Sequence, residues 1–331
     1  MLLARLARLA AALTVLVGGF HVAARVSTQF GVAEGTLFAR SEARLAKRDV
    51  ADAPLLLLIG DTGAASPELR ANFAAMAREP ALLVLHAGDI GYRGPREYGR
   101  FLAAAAEFPL PIFAVPGDHY REAGRGYATW DALFGGRNRV VEKDGLRIVL
   151  LDTAEDTVSE ASFRFLDAAL RRPPPPAPDL RWIVVLTHCP PYNPGAPGPK
   201  RLGEGHTIHD ATIAARLLER LREARATLLC TGHLHAFLRG DEAGVPLVVS
   251  GGGGKDVEPG NAFHYVRITL TDPPRIEAVI TTPATGRRPL ERLADGAIAE
   301  SLRRGDRVTL VLGAVTTVLF ALARRSRAKG W

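Results

Sequence analysis

At 331 residues, 47% hydrophobic and 23% charged, the chain is long enough for one large core, or a core with appendages. Its net charge of +7 is terminal: residues 1–26 carry three arginines and no acid, residues 303–331 carry seven basic groups and one acid, and residues 27–302 hold 32 basic against 34 acidic groups. That distribution argues for membrane orientation and against a nucleic-acid-binding face. The two cysteines, Cys189 and Cys230, form no C-x-x-C pair, which argues against a structural zinc site and leaves either a disulfide or two buried thiols.

Residues 1–8 contain Arg5 and Arg8, and residues 9–24 are apolar except for Thr14, the glycines and His21. Residues 1–26 therefore read as a signal peptide or signal anchor, with Val22-Ala23-Ala24 a tolerable cleavage sequence. Residues 27–53 are mixed and read as a stalk or short helix. From residue 54 the chain alternates apolar runs with amphipathic stretches. Strands are predicted at 55–60, 81–86, 111–115, 146–151, 182–187 and 227–230, and helices at 67–79, 97–107, 159–172 and 209–223. Ser66 before Pro67 is a helix start signal. Three further strands, 245–249, 264–270 and 276–280, have no helix between them. Alternation followed by a meander predicts an α/β core with more than one sheet, over residues 54–302. The proline run 173–178 reads as a surface connector.

Residues 308–323 are a second apolar run, 16 residues long, followed by Arg324, Arg325, Arg327 and Lys329. A bilayer core takes about 20 residues, so the run is short, but flanking arginines can extend it by snorkelling. Residues 303–331 read as a C-terminal transmembrane anchor with a cytoplasmic basic tail, which places the body on the extracytoplasmic (periplasmic) side.

Five polar clusters end apolar runs: Gly60-Asp61-Thr62-Gly63, Gly88-Asp89-Ile90-Gly91-Tyr92, Gly117-Asp118-His119, His188, and Gly232-His233-Leu234-His235. In open α/β sheets, ligands bind at the carboxyl ends of the strands. In extended backbone the side chains of His233 and His235 point the same way, since a strand has a period of two. Asp61, Asp89, Asp118, Tyr92, His119, His188, His233 and His235 mix hard oxygens with imidazole, a set suited to iron, manganese or zinc. So many acids repel one another unless cations lie between them. Two metals about 3.5–4 Å apart would neutralise them, grip the oxygens of a phosphoryl group and make a bridging water acidic.

These motifs, over residues 54–255, resemble the calcineurin-like metallophosphoesterases, and within them are most similar to the purple acid phosphatase pattern D-x-G, G-D-x-x-Y, G-N-H, V-x-x-H, G-H-x-H. The resemblance implies a four-layer α/β/β/α sandwich. It implies that Asp61, Asp89, Tyr92 and His235 hold a ferric iron. Asp118, His188 and His233 would then hold a divalent Fe(II), Zn(II) or Mn(II), with Asp89 bridging. His119 would contact the phosphate or protonate the leaving oxygen. The implied reaction is hydrolysis of phosphomonoesters by in-line attack of a metal-bound hydroxide, as in an acid phosphatase. Competing readings are a phosphodiesterase acting on nucleotides or lipid headgroups, and a non-catalytic membrane-tethered metal-binding module.

Two positions depart from the family pattern. Asp118 stands where the family has asparagine, and Tyr120 where it usually has an acid. An added negative charge at Asp118 is expected to hold the second metal more tightly and to repel an anionic substrate somewhat. His86 and His264 read as structural, and His206 and His209 either line the substrate mouth or serve at a helix start.

Overall fold

The computed structural model describes residues 2–29, 35–63, 66–91, 97–120, 127–171, 180–196, 206–242, 244–254, 257–282, 307–319 and 321. Tyr92 and the proline run 173–178 lie outside them. The chain divides into two compact units, Gly31–Arg287 on the one hand and Met1–Phe30 with Arg288–Trp331 on the other.

Among the described residues, the second of these units holds two helices, α1 (Leu2–Gln29) and one at its other end (Arg307–Leu319). Within α1 the 18-residue window Arg5–Val22 is long and apolar enough to cross a membrane by length and composition; Arg307–Leu319 is shorter.

In Gly31–Arg287 the elements follow the chain as α2 (Leu37–Leu45), β1 (Leu55–Ile59), α3 (Pro67–Met76), β2 (Leu83–His86), α4 (Tyr98–Glu107), β3 (Ile112–Ala114), α5 (Ala128–Phe134), β4 (Arg139–Lys143), β5 (Leu146–Leu150), α6 (Glu160–Ala169), β6 (Trp182–Leu186), α7 (Ala211–Glu223), β7 (Leu228–Thr231), β8 (Phe237–Glu242), β9 (Val245–Ser250), β10 (Phe263–Thr269) and β11 (Arg275–Thr282). The starts of α3, α6 and α7 fall where short polar side chains satisfy free backbone donors. Ser66 accepts from the Leu69 N–H, Ser159 from Ser162, and Asp210 from Thr212 and Ile213.

The strands form two sheets, ordered β11-β10-β1-β2-β3 and β4-β5-β6-β7-β9-β8. β1, β2 and β3 are parallel, as are β5, β6, β7 and β9, so the loops leaving these strands gather at one edge of each sheet. β10, β11, β4 and β8 run antiparallel to their neighbours. The parallel strands read as near-continuous apolar runs because both faces are covered. On one face of the first sheet, Leu57, Ile59, Val84 and Ile112 pack against Leu69, Phe73, Phe101 and Trp130 of the helices. Its other face, with Leu56, Leu58, Leu83 and Leu85, meets Ile148, Leu150, Val184 and Leu186 of the second sheet. The outer face of the second sheet, with Val149, Ile183, Val185 and Leu229, packs against Phe163, Leu166, Leu217 and Leu221. The packing order is thus helices, sheet, sheet, helices.

Within 27–53, read as a stalk or short helix, the chain forms the short helix α2, whose Leu37, Phe38, Ser41 and Leu45 are buried. Ser41 is fixed by donating to the Ile112 carbonyl and accepting from its N–H. Arg44 of the same helix donates to the carbonyls of Ala105, Ala106 and Phe108, the free acceptors at the end of α4. Cys189 and Cys230 are free buried thiols. They sit in different cores, Cys230 between the sheets and Cys189 on the outer face of the second sheet, so no disulfide forms.

Leu58→Ala removes a fully buried side chain from between the sheets. It is expected to cost about 2–5 kcal/mol in denaturant unfolding. Ile280→Ala, at a position 67% exposed, should stay within about 0.5 kcal/mol of the parent.

Candidate metal centre

The residues following β1, β2, β3, β6 and β7 bring Asp61, Asp89, Asp118, His119, His188, His233 and His235 together at the edge where the two sheets meet. Ligand atoms of Asp118, His188 and His233 lie within 4.8 Å of one another, as do those of Asp61, Asp89 and His188, and those of Asp89, Asp118 and His119. His188 Nε2 is 3.1 Å from Asp118 Oδ1, His233 Nδ1 is 3.1 Å from His188 Nε2, and His233 Nδ1 is 3.6 Å from Asp118 Oδ1. On the other side, His235 Nε2 is 3.5 Å from Asp61 Oδ1. Asp89 faces both groups, with Oδ1 3.8 Å from His188 Nε2 and Oδ2 3.6 Å from His119 Nε2.

Hydrogen bonds across the two sheets aim these groups. The Ala87 carbonyl can only accept, so His188 Nδ1 carries the hydrogen in their 2.7 Å bond. Nε2 is then the nitrogen presented to the site. The backbone N–H groups of His188 and Cys189 both donate to Thr153 Oγ1. Asp61 Oδ2 accepts from the His233 N–H at 2.9 Å, which ties the loop after β1 to the loop after β7. Asp61, Asp89 and His233 adopt φ of 54°, 52° and 68°, the left-handed region that side chains enter at a cost. Three such residues in one site is strain concentrated where the chain turns ligands inward.

Close approach depends on missing side chains. A Cβ at Gly117 would fall 2.1 Å from Asp89 Oδ1, and one at Gly232 would fall 2.7 Å from Asp61 Oδ2. Glycine at both positions is what lets the backbone press against the carboxylates.

The electrostatics fit a cation. Asp61 is fully buried and Asp89 nearly so. Burial alone depresses His188, but Asp89, Asp118 and Asp61 outweigh it and hold the ring above its ordinary value. Burial raises the Asp118 carboxyl, yet the hydrogen bonds and charges of His188 and His233 more than reverse this, leaving it well below the usual carboxylate range. Without a metal, the chain offsets its acids with a proton held on His188, the task that metal ions would take over. Clustered imidazoles and carboxylates are a donor set that suits iron, zinc or manganese.

Tyr120, at the position where an acid was expected, is buried. Its ring packs on Trp130 and Tyr98, and its hydroxyl accepts from the Gly91 N–H in the loop carrying Asp89. His86 is buried: Nδ1 accepts from the Gly88 N–H, so Nε2 donates to Thr62 Oγ1, and burial pushes the ring down to about 3. That is the structural part expected of it. His264 is also buried, and its Nδ1 donates to the Ala262 carbonyl.

One residue escaped the sequence reading. Asp156 Oδ1 accepts from the Cys189 thiol at 3.2 Å and lies 4.0 Å from His233 Nε2, the nitrogen facing away from Asp118. His209 Nε2 is 3.8 Å from Asp156 Oδ2, and the His206 ring lies 5.6 Å from that of His233. The signal was available, since Leu151-Asp152-Thr153 ends an apolar run as the other clusters do and Asp156 closes the turn after it.

A family model described as calcineurin-like phosphoesterase matches residues 55–237. No curated protein matches the chain in sequence. Among solved structures, the chain is similar to GAP50, the anchor in the inner membrane complex of Plasmodium, at 12% identity and a TM-score of 0.50, covering 71% of this chain and 86% of that one. It is also similar to PhoD, at 12% identity and 0.49, covering 79% and 78%. A dimetal phosphatase from Danio rerio aligns at 15% identity and 0.43, covering 70% and 99%. The likeness to GAP50 is one of fold.

Gly117→Ala should lower the metal bound per chain with overall secondary structure by circular dichroism retained, because its Cβ would fall on the Asp89 carboxylate and 2.6 Å from the Asp89 backbone nitrogen, so the loop carrying Asp89 must shift locally. Elemental analysis after dialysis checks this; full metal content in the variant would contradict the role given to the close approach.

Proposed function

This chain belongs to the calcineurin-like phosphoesterase family, and we propose that it is a metal-dependent phosphoester hydrolase acting on phosphomonoesters. The observation that carries the reading is the convergence of seven acidic and imidazole side chains, from five strand ends, in overlapping groups whose ligand atoms lie within 4.8 Å, with His235 3.5 Å from Asp61.

In this reading Asp61, Asp89 and His235, with Tyr92, hold one metal, and Asp118, His188 and His233 hold the other, with Asp89 shared. When bound, the pair supplies charge to the phosphoryl oxygens and lowers the pKa of water. The chain's own groups do the rest. His188 is held in the correct tautomer by Ala87, and Asp61 is held by the His233 N–H. His119 is the half-exposed member, 38% accessible, with Nε2 near Asp89 Oδ2. It is placed to meet a substrate from the solvent side, bind its phosphate and give a proton to the leaving oxygen. Asp118, an acid in place of an amide, tightens the hold on the second cation at some cost in anion binding. Ligation by Tyr92 and a ferric iron would put the chain in the purple acid phosphatase branch.

The two ends of the chain give the same proposal a location. An apolar N-terminal helix and an apolar C-terminal run followed by four basic residues support tethering to a membrane, with residues 54–302 on the extracytoplasmic side.

Asp89→Asn should lower turnover of an aryl phosphate about a hundredfold or more with the fold retained; unchanged turnover would rule out the dimetal reading. Assayed side by side at equal concentration, a monoester should outpace a diester, and the reverse order would make the enzyme a phosphodiesterase. Separately, iron-loaded protein should absorb in the visible through phenolate-to-iron charge transfer, and Tyr92→Phe should bleach it. A colourless iron-loaded parent would remove Tyr92 from the ligand set and leave hydrolysis intact.

A further inference from the structure

The unit formed by the two chain ends is held by a face of small residues. Along α1 the covered or half-covered positions are Ala7, Ala10, Ala11, Thr14, Val17, Gly18 and His21, spaced three and four apart as one helix face requires. Along Arg307–Leu319, here α8, they are Thr309, Leu312, Gly313, Thr316 and Leu319. The two faces meet: Thr14 Oγ1 lies 3.0 Å from Thr316 Oγ1, and a Cβ added at Gly18 would fall 3.4 Å from Thr309 Cγ2. Residue 14 meets 316 and residue 18 meets 309, so the helices run antiparallel. Away from this seam both helices expose large apolar side chains, among them Leu9, Val15 and Leu16 on α1 and Leu310, Val311 and Val318 on α8.

This is the reverse of a helix pair in water. A soluble hairpin buries its large apolar residues and exposes its polar ones. Here alanine, glycine and threonine make up most of the covered face, with Val17, His21, Leu312 and Leu319 beside them, while most of the leucines and valines face outward. Small residues that let backbones approach, and hydroxyls that bond across the seam, are how helices associate where the surroundings are as apolar as leucine. Thr14 and Thr317 also donate, or can donate, to the carbonyls of Ala10 and Gly313 one turn back, so their hydroxyls need no water. Charge agrees. The antiparallel register puts the carboxyl end of α8, which runs in sequence toward Arg324, Arg325, Arg327 and Lys329, at the end of α1 that carries Arg5 and Arg8. In sequence the opposite ends carry Arg25, Arg303, Arg304 and Arg307 with Asp306, a smaller excess than these six basic groups, and the larger one complements the anionic cytoplasmic leaflet.

We propose that α1 is retained in the mature protein and forms with α8 an antiparallel intramembrane hairpin, joined at Thr14 and Thr316, whose outward face is covered by lipid and which tethers the enzyme by both ends. The α1 window of 18 residues reaches about 27 Å and is close to the hydrocarbon thickness. This rests on the membrane reading above and not on the phosphoesterase reading, so either can fail alone.

The test is a cysteine pair in the full-length protein, Thr14→Cys with Thr316→Cys, oxidised in native membranes with copper phenanthroline. A second pair, Val15→Cys with Thr317→Cys at exposed positions, serves as comparison. Expected are an intact N-terminus by mass, retention in the pellet after alkaline carbonate, and a cross-link within one chain for the first pair that is at least several-fold more complete than for the second. Mature protein lacking residue 14, release by carbonate, equal cross-linking of both pairs, or cross-links only between chains would each overturn the proposal. The last would assign the seam to a second copy of the chain.

Discussion

The structure of Gly31–Arg287 depends on two sheets meeting edge-loop to edge-loop around buried acids. The His188 ring donates to the Ala87 carbonyl, and the His233 backbone donates to the Asp61 carboxylate. Each bond spans the seam, from a residue after a strand of the second sheet to one after a strand of the first. The Gly253 N–H adds a third bond, to the Gly60 carbonyl. Burying carboxylates there is costly unless charge is supplied, and the histidines around Asp118 supply part of it. The three left-handed backbone positions, at Asp61, Asp89 and His233, are tolerated because these cross-sheet bonds determine where each side chain must point.

Much of this was legible in the sequence, and for a definite reason. Parallel strands covered on both faces are short apolar runs, and those ending at Ile59, His86, Ala114, Leu186 and Thr231 stand out from their polar flanks. The clusters that follow them then locate the edge where ligands collect. What escaped was written in weaker patterns. β4, Arg-Val-Val-Glu-Lys, lies at a sheet edge with one residue fully buried, so its alternation is faint. β8 carries Arg239, Gly240 and Asp241, which interrupt any apolar run, and Gly240 is required because a Cβ there would meet the Tyr192 hydroxyl. α2 shows an apolar face and a Thr36 cap, but it is short, so the sequence left a stalk and a short helix open there. Asp156 acts through a turn in a left-handed conformation, which no periodicity announces.

The two departures from the family pattern differ in their consequences. Tyr120 does not replace an acid in function; it belongs to an aromatic core with Tyr98, Trp130 and Phe134, and it supports the loop after β2 through Gly91. Asp118 remains in the site, bonded to His188, and alters its charge. Tyr120 is therefore structural, whereas Asp118 adds a negative charge inside the cluster.

The measurement that bears most directly on the central claim is the metal content of the purified full-length protein, by elemental analysis for iron, zinc and manganese. The convergence of Asp61, Asp89, Asp118, His188, His233 and His235 predicts close to two metal ions per chain, falling in Asp89→Asn. A chain that takes up none, after loading with each metal in turn, would contradict the account.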